Sequence, residues 1–127
     1  MKYRHLGNSG LEVSVIGLGT NNFGGRMEFK EAREVIFAAI DEGMNLIDTA
    51  NIYSHGNSEE IIGRSLVDRR DEVLIATKFG MLWEEGPHGK GGSRKHIVES
   101  LEGSLRRLQT DYVDLYQIHK QDPDTPI

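Results

Sequence analysis

The strongest constraint on the fold of this chain is the alternation of short apolar runs with helical stripes of apolar residues. The runs cover residues 15–18, 46–48, 73–78 and 112–119, and each indicates a buried strand. Between them, apolar residues recur at three- and four-residue steps, the period of an amphipathic helix. A spacing of about thirty to forty residues from strand to strand is typical of βα units, so we expect parallel pairing.

Local signals indicate where the three predicted helices begin and end. Gly43 can end the first helix in the left-handed conformation, Asn57 with Glu60 resembles a capping box, and Ser93 can cap the third helix. The buried stripes are predicted to be Ala32, Val35, Ile36, Ala39 and Ile40 on the first helix, Ile61, Ile62 and Leu66 on the second, and Ile97, Leu101, Leu105 and Leu108 on the third.

An N-terminal hairpin is expected before the first parallel strand. Residues 3–6 and 11–13 are strand-like and flank 7–10, a Gly-Asn-Ser-Gly turn sequence. Four βα units after it form either half of an eight-stranded barrel or one sheet of a doubly wound fold. The composition does not separate these two folds.

Composition limits the classes of function. With 37% hydrophobic and 28% charged residues, the 127-residue chain is typical of one globular domain. A net charge of −5 offers no basic face to nucleic acid, and no apolar run is long enough to span a membrane. The absence of cysteine favours the cytoplasm and excludes thiolate metal ligands. The histidines show no ligand spacing, so no metal is expected.

Four polar residues follow or close the predicted strands. Asp48 ends one run, Tyr53 lies in the loop after it, Lys78 ends the next, and His119 ends the last. The carboxyl ends of parallel strands meet on one rim, and these residues continue the inward-facing positions of their strands. We therefore predict that the four side chains converge.

The chemistry of such a set is proton transfer to a carbonyl oxygen. A phenol is a poor acid at neutral pH, and a nearby lysine ammonium stabilises the phenolate that forms as the proton leaves. Asp48 is the carboxylate available to keep Lys78 charged and oriented. His119 could hold the carbonyl oxygen beside Tyr53.

Several segments together resemble the aldo-keto reductases. They are GLGTNNFGG, NLIDTANIYSHGNSEEIIG, DEVLIATKFG, SRKHIVESLEGSLRRLQTDYVDLYQIH and DPDTPI, and they run the length of the chain. The DTANIY segment looks most similar to the branch that includes bacterial reductases and potassium-channel β subunits. The resemblance implies a (β/α)8 TIM barrel, of which residues 1–127 are the N-terminal part of a single domain with its hairpin and first four strands.

The resemblance also implies a function and its residues. NADPH would reduce an aldehyde or ketone, with Tyr53 as general acid, Asp48 and Lys78 as its tuning pair, and His119 orienting the substrate. Thr20, Asn21 and Asp48 correspond to cofactor-binding positions. The family holds most of its cofactor with its C-terminal half, so we expect the isolated chain to be inactive.

Two other functions remain open. One is a regulatory or interaction protein that keeps the fold, as in the channel β subunits, although the presence of His119 favours the enzyme. The other is a half-barrel that covers its open strand edges by self-association. Trp83 could either line a substrate pocket or cover a neighbouring helix.

Overall fold

The computed structural model describes residues 1–126 and begins with the predicted hairpin. Strands β1 (Tyr3–His5) and β2 (Glu12–Ser14) pair antiparallel, which confirms the hairpin. Two bonds tie it to the chain that enters the second parallel strand: the backbone N–H of Ser14 donates to Asn45 Oδ1 at 2.7 Å, and the Tyr3 hydroxyl donates to the Gly43 carbonyl at 2.8 Å. The hairpin therefore lies at the amino-terminal edge of the parallel sheet.

Four parallel strands form the main sheet. They are β3 (Leu18–Gly19), β4 (Leu46–Asp48), β5 (Leu74–Phe79) and β6 (Leu115–Ile118), and they pair in that order. Each strand therefore lies beside its neighbour in sequence, as the βα spacing predicted. The register aligns Gly19 with Asp48, Asp48 with Ala76, and Lys78 with Gln117.

Three helices cover one face of this sheet. They are α1 (Phe29–Asp41), α2 (Asn57–Ser65) and α3 (Arg94–Leu108). Residues from all three helices and from two strands share one core, formed by Phe23, Ala32, Ile36, Ile40, Ile47, Ile61, Ile62, Leu66, Val73, Ile75 and Leu108. Sequential strands with every helix on one side form the wall of a barrel, whereas a doubly wound sheet carries helices on both faces. The structure thus decides between the two predicted folds.

Two of the helix-end predictions are confirmed. Gly43 follows α1 with φ of +86°, a conformation that L side chains rarely adopt. Ser93 precedes α3, and its hydroxyl accepts a hydrogen bond from the backbone N–H of His96 at 3.2 Å. Within residues 1–126, no helix has both the length and the apolar content to cross a bilayer.

The predicted cap of α2 is wrong. Asn57 is the first residue of the helix rather than its cap, and Gly56 precedes it with φ of +91°. The Asn57 side chain instead donates to the Gly24 carbonyl at 3.3 Å, a contact across the fold. A carboxylate does bond back to an N-terminal amide in α1, where Glu31 accepts from the Glu28 N–H at 3.3 Å.

The first and last parallel strands are shorter than predicted. Val15 and Ile16 are 48% and 55% exposed, and the Val15 N–H bonds to the Lys2 carbonyl of the hairpin segment instead of joining the sheet. At the start of β6, the Asp114 carboxylate accepts from the Ile75 N–H at 2.8 Å, so a side chain replaces one ladder bond. Strand pairing there begins at Leu115.

Candidate functional site

The carboxyl ends of the parallel strands bring the four predicted residues to one rim. Asp48 is the last residue of β4, Lys78 is the penultimate residue of β5, and His119 follows β6. Because side chains alternate along a strand, Lys78 lies on the same face as Ala76, which pairs with Asp48. This face is opposite the one that Ile75 buries against the helices.

Lys78 and Asp48 form an ion pair at the rim. The ammonium of Lys78 lies 2.8 Å from the Asp48 carboxylate and also donates to the Thr49 carbonyl at 2.8 Å. The Lys78 side chain is 14% exposed, whereas that of Asp48 is 41% exposed. Two acceptors therefore hold a largely buried ammonium in one position, which offsets part of its desolvation cost.

Tyr53 lies within reach of both Lys78 and His119. The Lys78 Nζ is 5.2 Å from the centroid of the Tyr53 ring, a cation–π distance. The Tyr53 and His119 rings meet edge to face, with centroids 5.7 Å apart and planes at 86°. The phenol, ammonium, carboxylate and imidazole thus form one cluster, as the strand ends predicted.

The surroundings of His119 favour the neutral form of its imidazole. Burial lowers the pKa of His119 from its ordinary value of 6.5, and the Lys78 charge lowers it further, against a smaller opposing effect of Asp48. Its backbone N–H donates to the Phe79 carbonyl at 2.8 Å. Nδ1 is buried and meets no hydrogen-bond partner among residues 1–126.

Thr20 supports the end of β4 from within the fold. It is fully buried, and both its N–H and its hydroxyl donate to the Asp48 carbonyl, at 3.1 and 3.0 Å. The Ser58 hydroxyl lies 3.0 Å from the Thr20 carbonyl and 3.2 Å from the Thr49 hydroxyl. These bonds position the backbone that carries Asp48. The cofactor contact expected of Thr20, and that of the exposed Asn21 beside it, stays a prediction.

A buried ion pair beneath the site was missed by sequence reasoning. Glu59 is fully buried, and its carboxylate accepts from Arg107 Nε at 2.8 Å and from the Thr77 hydroxyl at 2.5 Å. This contact joins α2 to α3 and β5. Glu59 and Glu60 are adjacent acidic residues in the first turn of α2, and no local signal separates the buried one from the exposed one.

Trp83 packs against the turn after Tyr53 and against α3, and it also lines a cleft, so both roles that the sequence allowed stay open. Its indole stacks on the His55 imidazole, with centroids 4.1 Å apart and planes at 9°. The Arg107 guanidinium lies 4.7 Å from the same indole ring. The cleft has a volume of about 310 Å³ and lies between Asn51, Trp83 and residues of α3. This cleft does not include the four rim residues.

The rim cluster has an open side and two hydrogen-bond donors. At Gly19, which pairs with Asp48, an added Cβ would meet no atom of the described residues within 4 Å. The donors next to this space are a phenol and an imidazole, which suit an oxygen that gains negative charge. Fold and site together define part of a barrel with a phenol, an ammonium, a carboxylate and an imidazole clustered at the carboxyl ends of its strands.

Comparison with known proteins identifies the family. The model of the aldo/keto reductase family matches residues 15–127, and the chain belongs to this family. It is 46% identical to the aldo-keto reductase YhdN of Bacillus subtilis and 45% identical to a probable voltage-gated potassium channel subunit beta of Oryza sativa subsp. japonica. Each alignment covers the whole chain and 40% of the relative.

The structure supports the same assignment. It matches the holo form of the aldo-keto reductase AKR11C1 from Bacillus halodurans with a TM-score of 0.89 and 41% sequence identity, over 99% of this chain and 42% of that one. The chain therefore spans about 40% of the length of the curated relatives it matches. Its fold is the N-terminal part of a (β/α)8 barrel.

Proposed function

We propose that the protein containing this chain is an NADPH-dependent reductase of aldehydes or ketones. The observation that carries the proposal is the Lys78–Asp48 pair, 2.8 Å apart, with the Lys78 Nζ 5.2 Å from the Tyr53 ring centroid and His119 at the edge of that ring. An ion pair used only for stability has no need of a phenol and a neutral imidazole beside it. Membership of the aldo/keto reductase family supports the same reaction.

The residues of this chain would handle the proton. Bound NADPH supplies the hydride that forms the new C–H bond at the carbonyl carbon. Tyr53 gives its hydroxyl proton to the carbonyl oxygen, which becomes the alcohol. The Lys78 ammonium stabilises the remaining phenolate, and Asp48 keeps that ammonium charged and in place. Neutral His119 donates a hydrogen bond from Nε2 to the same oxygen and so orients the substrate.

The chain would contribute only part of the cofactor site. Asp48 and the exposed Asn21 would meet the nicotinamide end, whereas the buried Thr20 would act by holding the backbone of Asp48. Nothing in the rim cluster matches the phosphate end of the cofactor, since the charge of Lys78 is already paired with Asp48. The proposal of NADPH as the cofactor rests on the family resemblance. The proposal of a cytoplasmic location rests on the composition, which includes no cysteine.

The test is a tyrosine substitution in the protein that carries this chain. Tyr53→Phe removes the proton donor and is expected to lower kcat by about 10²- to 10⁴-fold. NADPH binding, followed by quenching of protein fluorescence, should be little changed. Tyr112→Phe is the matched control, because Tyr112 is 45% exposed and lies away from the rim. Unchanged turnover in Tyr53→Phe would refute the assigned acid.

A regulatory or interaction protein is the second candidate. It is favoured by the 45% identity to a probable channel β subunit. Such a protein would co-purify with a stoichiometric partner and turn over carbonyl substrates negligibly. The reductase is preferred because the rim retains all four groups in contact.

A further inference from the structure

The turn that directly follows Tyr53 is strained. Ser54 and His55 have φ values of 48° and 49°, and Gly56 follows with φ of 91°. Two consecutive non-glycine residues in the left-handed region are unfavourable, because the Cβ atom then lies too close to the backbone. Such a conformation persists only where contacts from elsewhere in the fold hold it. The position of Tyr53 therefore depends on those contacts.

Two side chains hold this turn from opposite ends. The Ser54 hydroxyl donates to the Phe23 carbonyl at 2.8 Å. The His55 imidazole stacks on the Trp83 indole at 4.1 Å between centroids. The indole also packs close to Gly56, where an added Cβ would lie 3.2 Å from Trp83 Cη2. Trp83 thus contacts two successive residues of the strained turn.

Trp83 itself is held by contacts outside the turn. Its backbone N–H donates to the Gly89 carbonyl at 2.9 Å, which closes its own loop. The Arg107 guanidinium lies 4.7 Å from its ring centroid, and Arg107 is fixed in turn by the fully buried Glu59. The indole therefore connects the turn after Tyr53 to the ion pair between α2 and α3.

We propose that Trp83 is a positioning residue that clamps the turn carrying Tyr53 and so holds the phenol against Lys78 and His119. This rests on the proposed function only for its effect on turnover; the clamp itself is a structural relationship. Trp83 reaches Tyr53 through His55 and Gly56 and need not touch the substrate. Loss of the indole would leave His55 without its stacking partner, and the turn would relax.

The experiment has one structural and one kinetic measurement. In Trp83→Ala, the backbone amides of Tyr53 and His55, which bond to Ala50 and Ile52, should exchange with deuterium at least about tenfold faster, because local opening becomes easier. The kcat for carbonyl reduction should fall about 10- to 100-fold with little change in the KM of the substrate. Trp83→Phe keeps an aromatic face and should restore most of both.

Leu82→Ala is the matched control, since Leu82 is the neighbouring apolar residue of the same loop and is half exposed. It should leave both measurements at wild-type levels. Unchanged exchange in Trp83→Ala would overturn the clamp. A raised KM with unchanged kcat would also overturn it and make Trp83 a pocket residue. Faster exchange together with a wild-type protein that reduces no carbonyl would support the clamp and refute the proposed function.

Discussion

Tyr53 and His119 meet edge to face, 5.7 Å apart between ring centroids, although 66 positions separate them along the chain (119 − 53). Their contact exists because one residue follows β4 and the other follows β6, two strands that both flank β5. Lys78, on β5 between them, reaches the Tyr53 ring. The site is therefore a product of parallel strand order.

Replacing Lys78, which lies between Tyr53 and His119, should lower the rate of turnover. Lys78→Met keeps a long apolar stem and removes the charge that stabilises the phenolate, so kcat should fall by about 10²-fold or more. Lys90→Met is the control, because Lys90 is an exposed lysine of the loop after β5. Steady-state kinetics on the protein that carries this chain would check it. Equal loss in both variants would contradict a specific role of Lys78.

The stability of the fold should decrease in mild acid because of His119. The lowered pKa of His119 means that the unfolded chain binds a proton before the folded one does, so stability is full above the ordinary value of 6.5 and falls as the pH drops below it. Urea unfolding at pH 7.5 and at pH 5.5 would measure the difference in the free energy of unfolding.

His119→Asn should reduce this pH-dependent loss, because the variant has no imidazole to protonate at the rim. His88→Asn removes an exposed loop histidine and should retain the contribution of His119. A wild-type protein whose free energy of unfolding varies with pH no more than that of His119→Asn would show that the neutral imidazole is not imposed by the fold.

Glu59→Gln should be strongly destabilising. The substitution keeps the shape of the side chain but leaves Arg107 without its buried counter-charge, and breaking a buried pair from one side costs about 3–5 kcal/mol. Glu60→Gln changes the adjacent, exposed glutamate of the same helix turn and should cost less than about 0.5 kcal/mol. Chemical denaturation of the two variants gives the comparison, and similar midpoints would contradict the prediction.

The Asp122 carboxylate should stabilise the segment that precedes α3. Its carboxylate accepts hydrogen bonds from the Gly92 N–H and the Thr125 hydroxyl, both at 2.7 Å, and the bonds from Thr125, Gly92 and Asp124 lower the pKa of Asp122 below its ordinary 3.8. Asp122→Ala should therefore speed deuterium exchange at Gly92, whereas Asp124→Ala, at an exposed neighbour, should not.

The same contact predicts a pH response with a defined sign. A lowered pKa stabilises the folded form above the ordinary value of 3.8, and that contribution is lost as the pH falls through the lower folded value. Protection of the Gly92 amide, corrected for intrinsic exchange, should thus persist at pH 5 and disappear in stronger acid. Protection that is lost already near pH 5 would argue against this assignment.

Sequence patterns predicted correctly those features of the fold that depend on residues close together along the chain. The hairpin, the Gly43 helix end and the Ser93 cap each depend on residues within a few positions of one another, and each is confirmed. The cap of α2 was wrong because Asn57 bonds to Gly24, which lies 33 positions away. Propensity cannot anticipate a partner that only the folded chain supplies.

Side-chain exposure and charge pairing also depended on contacts between residues distant in sequence, which local patterns do not predict. Val15 and Ile16 suit a buried strand by composition, but the hairpin holds their backbone outside the sheet and leaves both side chains exposed. Glu59 and Glu60 are identical in type and adjacent, yet only Glu59 is buried, because α3 brings Arg107 against it. Burial is decided by which helix packs on which.

By itself, the sequence determined the order of strands and helices and the polar residues at the strand ends. The hydrophobic period and the order of segments can both be read directly along the chain. Tertiary structure alone decided that all helices cover one face, that Trp83 stacks on His55, and that Asp48 and Lys78 approach to 2.8 Å. These outcomes depend on packing between segments that are distant in sequence. A local sequence pattern carries no information about the energy of such packing.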